Sequence, residues 1–518
     1  MKFKLKRKLA LIFTSVLLCT SFSACTGGNS ADKGSSDKQK SITFGTNQFP
    51  TNLDPASEWN GWFVSMFGAG ETLVKLNKNM QIESLLSDSW KRVDDLTWKF
   101  HIRKGVKFDN GKAVTAQAVK ASLERTLKMN PRTREILLID SMTADGQDIT
   151  IKTKSSSEAF LSNMADSSAI IVDSSAPADT FAKAPVCTGP FKVKSYTPNS
   201  NVVVEKNKDY WGDKAKVDKA TFKYIKDDNT RAMALQSGEI DVAQNVSSNN
   251  MPLFKDKSKY NIDKITSLRI IMSYENLNNE FLKDPAVRKA ISLAVDKDTY
   301  AKTLLKNSAV PAVGPFPESL PYGNKNLIGY KYDKAAAAKL LSDAGYKDTD
   351  GDGILEKNGK KVELNLAFYT TRSELPIIAQ AIQANLKEIG IGTKLQSYED
   401  VSQVLKSGNF DLCLYSVNTA TSGDPQSFLE VYFKTDGTAN YGKYSNSKVD
   451  SLIDKLKTEK DTKERSNIAI QVQQKLLEDN SNLFLVTPML NLVSKNTVSG
   501  VTMYPVDYYL LNNKVSIK

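Results

Sequence analysis

Apolar residues recur along this chain with two periods that alternate in blocks. In "KKVELNLAFYT", Val362, Leu364, Leu366 and Phe368 occupy every second position, the pattern of a half-buried strand. "SELPIIAQAIQANLKEIG" follows, with Ile378, Ile382, Leu386 and Ile389 on one helical stripe and Gly390 as a natural stop. "TKLQSY" then resumes a strand, and "FDLCLYSV" supplies another. Strand, helix, strand in that order predicts a parallel pair with the helix on its face. In "WKFHIRK", Trp98, Phe100 and Ile102 alternate with Lys99, His101 and Arg103, so His101 falls on the polar face of a strand.

The helices carry their own punctuation. In "DPAVRKAISLAVDKDTY", Asp284 caps, Pro285 takes the first helical position, and Val287, Ile291, Ala294 and Val295 form the buried stripe. "DKAAAAKLLSDAGY" starts at Asp333 and stops at Gly345, and the stretch 447–480 reads as helix with a break near Asp461. No repeat of 20–50 residues is present. The fold class is α/β, and the length of 518 residues calls for more than one lobe.

The first residues stand apart from this pattern. Lys2, Lys4, Lys6, Arg7 and Lys8 make a basic head before the apolar run Leu9 to Leu18. That run is too short for a spanning helix, which needs about 20 residues, and it reads as an export signal over 1–24. Ser23 and Ala24 precede Cys25, which resembles the bacterial lipoprotein signal, with Phe22 where Leu is usual. The resemblance implies cleavage before Cys25 and lipidation of its thiol. Residues 25–40 then form a Ser-, Gly-, Asp- and Lys-rich tether with a mean reach of roughly 20 Å. The protein is expected to work outside the cytoplasmic membrane, anchored to it as a lipoprotein.

Composition narrows the chemistry. The formal charge is +12, and five of the bases lie in the signal. Lysine is spread along the chain, which fits a solvated surface rather than a nucleic-acid footprint. With one histidine, no HExxH zinc site and no His-assisted nucleophile pair can form. GxSxG, P-loop and GxGxxG motifs are missing as well. Of the four cysteines, Cys187 and Cys413 remain after the signal and the lipid site, and Cys413 is expected as a buried thiol. In "DTDGDGILEKNG", Asp348, Asp350, Asp352 and Gly353 fit the first half of an EF-hand loop, but the twelfth position is Gly359 rather than Glu. A tight Asp/Gly turn is the expectation. Trp59, Trp62 and Phe63 after "NLDPASE" make either a hydrophobic plug or a ligand wall. Arg132 and Arg134 in "NPRTRE" offer carboxylate-binding forks or surface pairs.

"WKFHIRKGVKFDNGKAVTAQAVKASLERTL", "CTGPFKVKSY", "NKDYWGDKAKVDKATFKYI", "RAMALQSGEIDV", "LNNEFLKDPAVRKAISLAVDKDTY" and "FDLCLYSVNTATSGDPQSFL" follow one another in this chain. In that order they resemble the family 5 solute-binding proteins of ABC importers, the peptide, opine and nickel group. The resemblance covers 41–518. It implies a two-lobed type II periplasmic-binding-protein fold with hinge strands and an extra subdomain in lobe I. Lobe I is expected over 41–272, lobe II over 273–492, and a return segment to lobe I over 493–518. It also implies a receptor without catalysis or cofactor, a monomer that delivers its ligand to an ABC permease and ATPase.

In peptide binders of this family an aspartate shortly before the "DP" pairs with the ligand's amino terminus. Thr421 stands there in this chain, with Glu58 or Asp424 as possible substitutes. In the nickel and opine members an arginine grips a carboxylate of the chelator, and Arg134 falls on that position. Leu137 replaces a tryptophan, Gln426 a metal-contacting histidine, and a small residue near Ser168 a second arginine. The implied ligand-binding set is Arg134, Trp59, Trp62, Glu58, Phe63, Leu137, Tyr415, Thr421, Asp424 and Gln426. The ligand is expected to be a small carboxylate-bearing solute, with a nickel or other metal chelate favoured over a di- or oligopeptide. Any metal would be carried by the chelator. An exported lipoprotein enzyme is the alternative from another class.

Overall fold

The computed structural model describes residues 39–323, 325 and 327–518. The signal, Cys25 and nearly all of the tether lie outside them. Among the described residues no helix is long and apolar enough to cross a membrane.

The alternating segment becomes the strand Glu363–Tyr369, with Leu364 and Leu366 fully buried. The helix Glu374–Lys387 follows and buries Ile378, Ile382 and Leu386. Gly390 ends the turn at φ 78°, where only glycine is free of strain. Gly392–Tyr398 then pairs parallel with Glu363–Tyr369, from Glu363↔Gly392 to Tyr369↔Tyr398. Leu412–Asn418 pairs parallel on the other side. The helix caps also fall where the sequence puts them. The side chains of Asp284, Asp333 and Asp461 accept from backbone N–H groups at the starts of Pro285–Ala294, Lys334–Asp343 and Thr462–Asp479.

These strands are one half of a 12-stranded sheet. The other half contains Ser41–Thr46, which pairs parallel with Lys219–Tyr224 and with Val242–Gln244. Two connections join the halves. Asn482–Lys495 pairs with Arg269–Glu275 through Asn482 to Val486, then with Tyr260–Thr266 through Met489 to Lys495. The neighbouring chain changes halves at Ser267–Leu268, where the Ser267 hydroxyl and N–H both donate to the Pro488 carbonyl. These crossings are the hinge strands of the two-lobed fold. The changeover at 267–268 precedes the expected limit at 272 because all of Arg269–Glu275 pairs with Leu412–Asn418.

A four-stranded antiparallel sheet, Ser87–Arg92, Thr97–Ile102, Asp148–Thr153 and Ile139–Asp145 in spatial order, forms the extra subdomain with the helix Ala116–Met129. His101 lies on its outer face, with Nδ1 2.6 Å from Asp148. Several of the sequence segments quoted above meet at one buried carboxylate. Glu71 accepts from Tyr210 Oη at 2.7 Å and from Trp211 Nε1 and Thr188 Oγ1, both at 3.0 Å. "CTGPF" and "NKDYW" are therefore structural staples of lobe I. Cys187 and Cys413 are both buried and free.

Candidate ligand-binding cleft

Parallel strands carry binding sites beyond their carboxyl ends. In the second half of the sheet, that end presents Tyr369 and the turn to Arg372. Tyr415 lies on the strand Leu412–Asn418, and Arg269 opens its antiparallel neighbour. Tyr369 and Tyr415 meet edge to face at 6.2 Å, and Tyr274 touches Tyr415 at 5.9 Å and Tyr441 at 5.6 Å. Arg269 donates to the Ser416 carbonyl at 3.2 Å. Burial lowers its pKa to about 10, Arg372 adds to that lowering, and Asp507 opposes it. Neither Arg269 nor Arg372 forms an ion pair within 4 Å among the described residues.

The facing wall belongs to lobe I and to the C-terminal segment packed on it. Trp62 Nε1 donates to the Asp507 carbonyl at 3.1 Å, and the Trp62 ring contacts Tyr508. Trp59 is 54% exposed and lies over the Arg132 guanidinium at 4.3 Å. Arg132 makes a two-pronged pair with Asp166, at 2.9 and 2.5 Å. Burial alone would lower the Arg132 pKa, but the charge and hydrogen bonds of Asp166 outweigh it and raise the value. Ser168 completes the group by donating its hydroxyl to Asp166 at 2.7 Å.

The two arginines of "NPRTRE" have different surroundings. Two residues along a helix turn the side chain by about 200°, so Arg132 and Arg134 of Pro131–Leu137 face opposite ways. Arg134 is exposed, and its guanidinium donates to the carbonyls of Leu127 at 2.6 Å and Lys128 at 3.1 Å. It closes the end of the preceding helix. Phe63 and Leu137 are core side chains. Asp424 is held by Arg465 at 2.6 Å. Gln426 is buried at the start of a helix, with Oε1 unpartnered. Glu58 is exposed at φ 48°, fixed through its carbonyl by Asn130. Thr421 is half-buried on the turn after Leu412–Asn418. Trp59, Trp62 and Tyr415 lie on the two walls.

Arg269, Arg372, Tyr441 and Asp507, which the sequence reading did not single out, come from four separate segments. Two surface cavities, of about 220 and 290 Å³, lie elsewhere on lobe II. The first is lined by Asn276, Asn365 and Asp411, near the opposite ends of the strands from Tyr369. Its amides are largely used on Asp411 and on backbone carbonyls. In the acidic loop, Asp348, Asp350, Asp352 and Glu356 converge within 4.8 Å. There Lys361 pairs with Asp350 and Asp352, and the Asp348 carboxylate accepts from Gly351 and Gly353 N–H. It is the tight Asp/Gly turn.

Comparison with known proteins agrees with this architecture. The family described as "Bacterial extracellular solute-binding proteins, family 5 Middle" matches residues 81–440. The nickel-binding protein NikA of Staphylococcus aureus is 30% identical over 524 residues, covering all of both chains. The crystal structure of NikA from Staphylococcus aureus in complex with Ni(L-His)2 aligns with a TM-score of 0.77 at 28% identity, over 92% of this chain and 100% of that one. The oligopeptide-binding protein AppA of Bacillus subtilis, solved with a nonapeptide, aligns at 0.75 and 25% identity, over 93% and 99%. A sheet shared between two lobes, crossed by hinge strands and matched over nearly its whole length, leaves one conclusion: the chain belongs to the family 5 extracellular solute-binding proteins, the substrate receptors of ABC importers.

Proposed function

We propose that this receptor captures a small carboxylate-bearing solute between its lobes, a nickel or other metal chelate ahead of a short peptide. It then presents the closed form to an ABC permease. In this reading the carboxylate anchors are Arg269 and Arg372, in place of Arg134. The observation that carries it is two guanidiniums at the carboxyl end of the lobe II sheet, among tyrosines, without ion-pair partners among the described residues. Arginine forks match carboxylates in a two-pronged geometry, and enclosure strengthens the contact. A buried hydroxyl next to Tyr415, Tyr274 Oη, has no partner among the described residues. An orphaned buried hydroxyl is costly unless a polar occupant satisfies it. The chelate is favoured because the chain has Thr421 where peptide binders have an aspartate, and Asp424 is spent on Arg465. The likeness to NikA points the same way.

Anchoring through a lipid on Cys25 belongs to the same proposal, supported by the basic head, the short apolar run and the small residues before the cysteine. The deciding experiment is calorimetry with preformed nickel(II)–L-histidine chelate and with triglycine on wild type, Arg269→Ala and Arg372→Ala. One site per chain is expected, weakened about 30-fold or more by either truncation. Unchanged affinity in both variants would remove the carboxylate reading.

A further inference from the structure

We propose that Asp507 is the specificity-determining residue of the cleft. It takes the amino end of an α-amino-carboxylate unit whose carboxylate lies on Arg269 and Arg372, so the receptor selects amino-acid-type ligands over polycarboxylates. This rests on the carboxylate-capture reading above and adds to it what the other end of the ligand must be.

The backbone of Asp507 is clamped on both sides while its side chain is left unengaged. Its N–H donates to the Tyr504 carbonyl at 3.1 Å, and its own carbonyl accepts from Trp62 Nε1 at 3.1 Å. No described residue donates a hydrogen bond to the carboxylate. The charged groups acting on it come from the opposite wall: Arg269 at the start of a hinge-adjacent strand, and Arg372 in the turn before Glu374–Lys387. Tyr508 adjoins it on its own segment, next to the Arg132–Asp166 pair, and Glu374 acts on Arg269 from the first turn of that helix. Neither arginine is within ion-pair distance of Asp507 among the described residues. A half-buried acid held near two cations but in contact with neither is poorly stabilised from either side. Burial pushes its pKa up to about 7, although both arginines lower it.

An α-amino-carboxylate unit resolves this arrangement. Its carboxylate meets the two guanidiniums, and its amino group, free or bound to a metal, donates to Asp507. A polycarboxylate would satisfy the arginines but set a like charge against Asp507. The other acids that could do this work are engaged or turned away: Asp424 with Arg465, Asp166 with Arg132, and Glu58 at the surface. The aspartate absent at Thr421 is thus replaced from a different segment of the chain.

The inference predicts proton exchange on binding. Burial keeps Asp507 partly protonated near neutral pH, and a positive centre beside it drives the carboxylate form. Binding then releases a fraction of a proton. The test is calorimetry at pH 7 in buffers of differing ionisation enthalpy, on wild type and Asp507→Asn. The probes are nickel(II)–L-histidine chelate, L-histidine alone and nickel(II)–citrate. Asp507→Asn keeps both backbone bonds, and thermal melts check its fold. At least one amino-bearing probe should bind wild type with this release and lose about 10-fold or more in the variant. The citrate complex should bind wild type more weakly and gain in the variant. Failure of both amino-bearing probes on wild type overturns the inference. So does unchanged affinity and proton count in Asp507→Asn. If that second result comes with Arg269→Ala and Arg372→Ala still abolishing binding, carboxylate capture stands and only the role of Asp507 falls.

Discussion

Glu275 ends the strand Arg269–Glu275 with 0% exposure, and neither carboxylate oxygen has a hydrogen-bond partner among the described residues. Its side chain shares the sheet face of Ile271, which packs in the lobe II core. Arg288 is the one cation acting on it, but that guanidinium is already donated to the carbonyls of Leu282, Lys283 and Asp479. Burial therefore dominates and raises the pKa from 4.5 to about 8. The folded state holds this proton where the unfolded state has lost it. The group thus destabilises the fold progressively as pH rises above 4.5, and fully above 8. At about 1.36 kcal/mol per pH unit, the loss between pH 5 and pH 8 is about 3 to 4 kcal/mol. Glu275→Gln has the same shape and cannot ionise. Near pH 5 it should match wild type, and at pH 8 it should be more stable by about that amount. Asp109 and Asp507, raised to about 6 and about 7, give pH dependence of the same sign. Urea unfolding of both proteins at pH 5, 6, 7 and 8 therefore isolates Glu275 as a difference. A difference that stays flat across that range would refute the reasoning, because it would mean Glu275 is ionised and solvated in the fold.

Arg134→Ala should leave ligand affinity unchanged in calorimetry, since its guanidinium is spent on the end of a helix; a loss of binding would return it to the cleft. Arg132→Ala should cost about 2–3 kcal/mol in chemical unfolding, because it strands Asp166 without its charge partner while Arg132 itself keeps some exposure. Gly423→Val should hold the lobes apart: a Cβ there would sit 2.7 Å from the Met80 carbonyl of lobe I, at φ 77°. Small-angle scattering at saturating ligand should show no contraction in that variant, and normal contraction would place closure elsewhere. Cys25→Ser should release the protein into the medium or leave it with its signal uncleaved, and a processed variant that survives a high-salt wash on membranes would contradict lipid anchoring.

The parts of the fold legible in the sequence were those fixed by local chemistry. Val362 to Phe368 and Ile378 to Leu386 announced their periods, and Asp284, Asp333 and Asp461 announced their caps, because a helix start or a half-buried strand is decided within a few residues. The family segments were also legible, yet several proved to be packing devices, as at Glu71 with Thr188, Tyr210 and Trp211. The site was harder, for two physical reasons. A register of two residues on a helix turns a side chain to the opposite face, which separates the surroundings of Arg134 from those of Arg132. And the cleft is assembled from Trp62, Arg269, Arg372, Tyr415 and Asp507, whose proximity arises only once the hinge strands bring both lobes together. No spacing in the sequence records that encounter.

The central claim is that the cleft holds one carboxylate-bearing solute through Arg269 and Arg372. Native mass spectrometry of the protein purified from its own growth medium tests it most directly, on wild type and on the Arg269→Ala, Arg372→Ala double variant. The account predicts one small solute per wild-type chain, carrying a carboxylate when released and identified by fragmentation, and no such solute on the double variant. The same solute retained by the double variant, or a solute with no carboxylate, would contradict it.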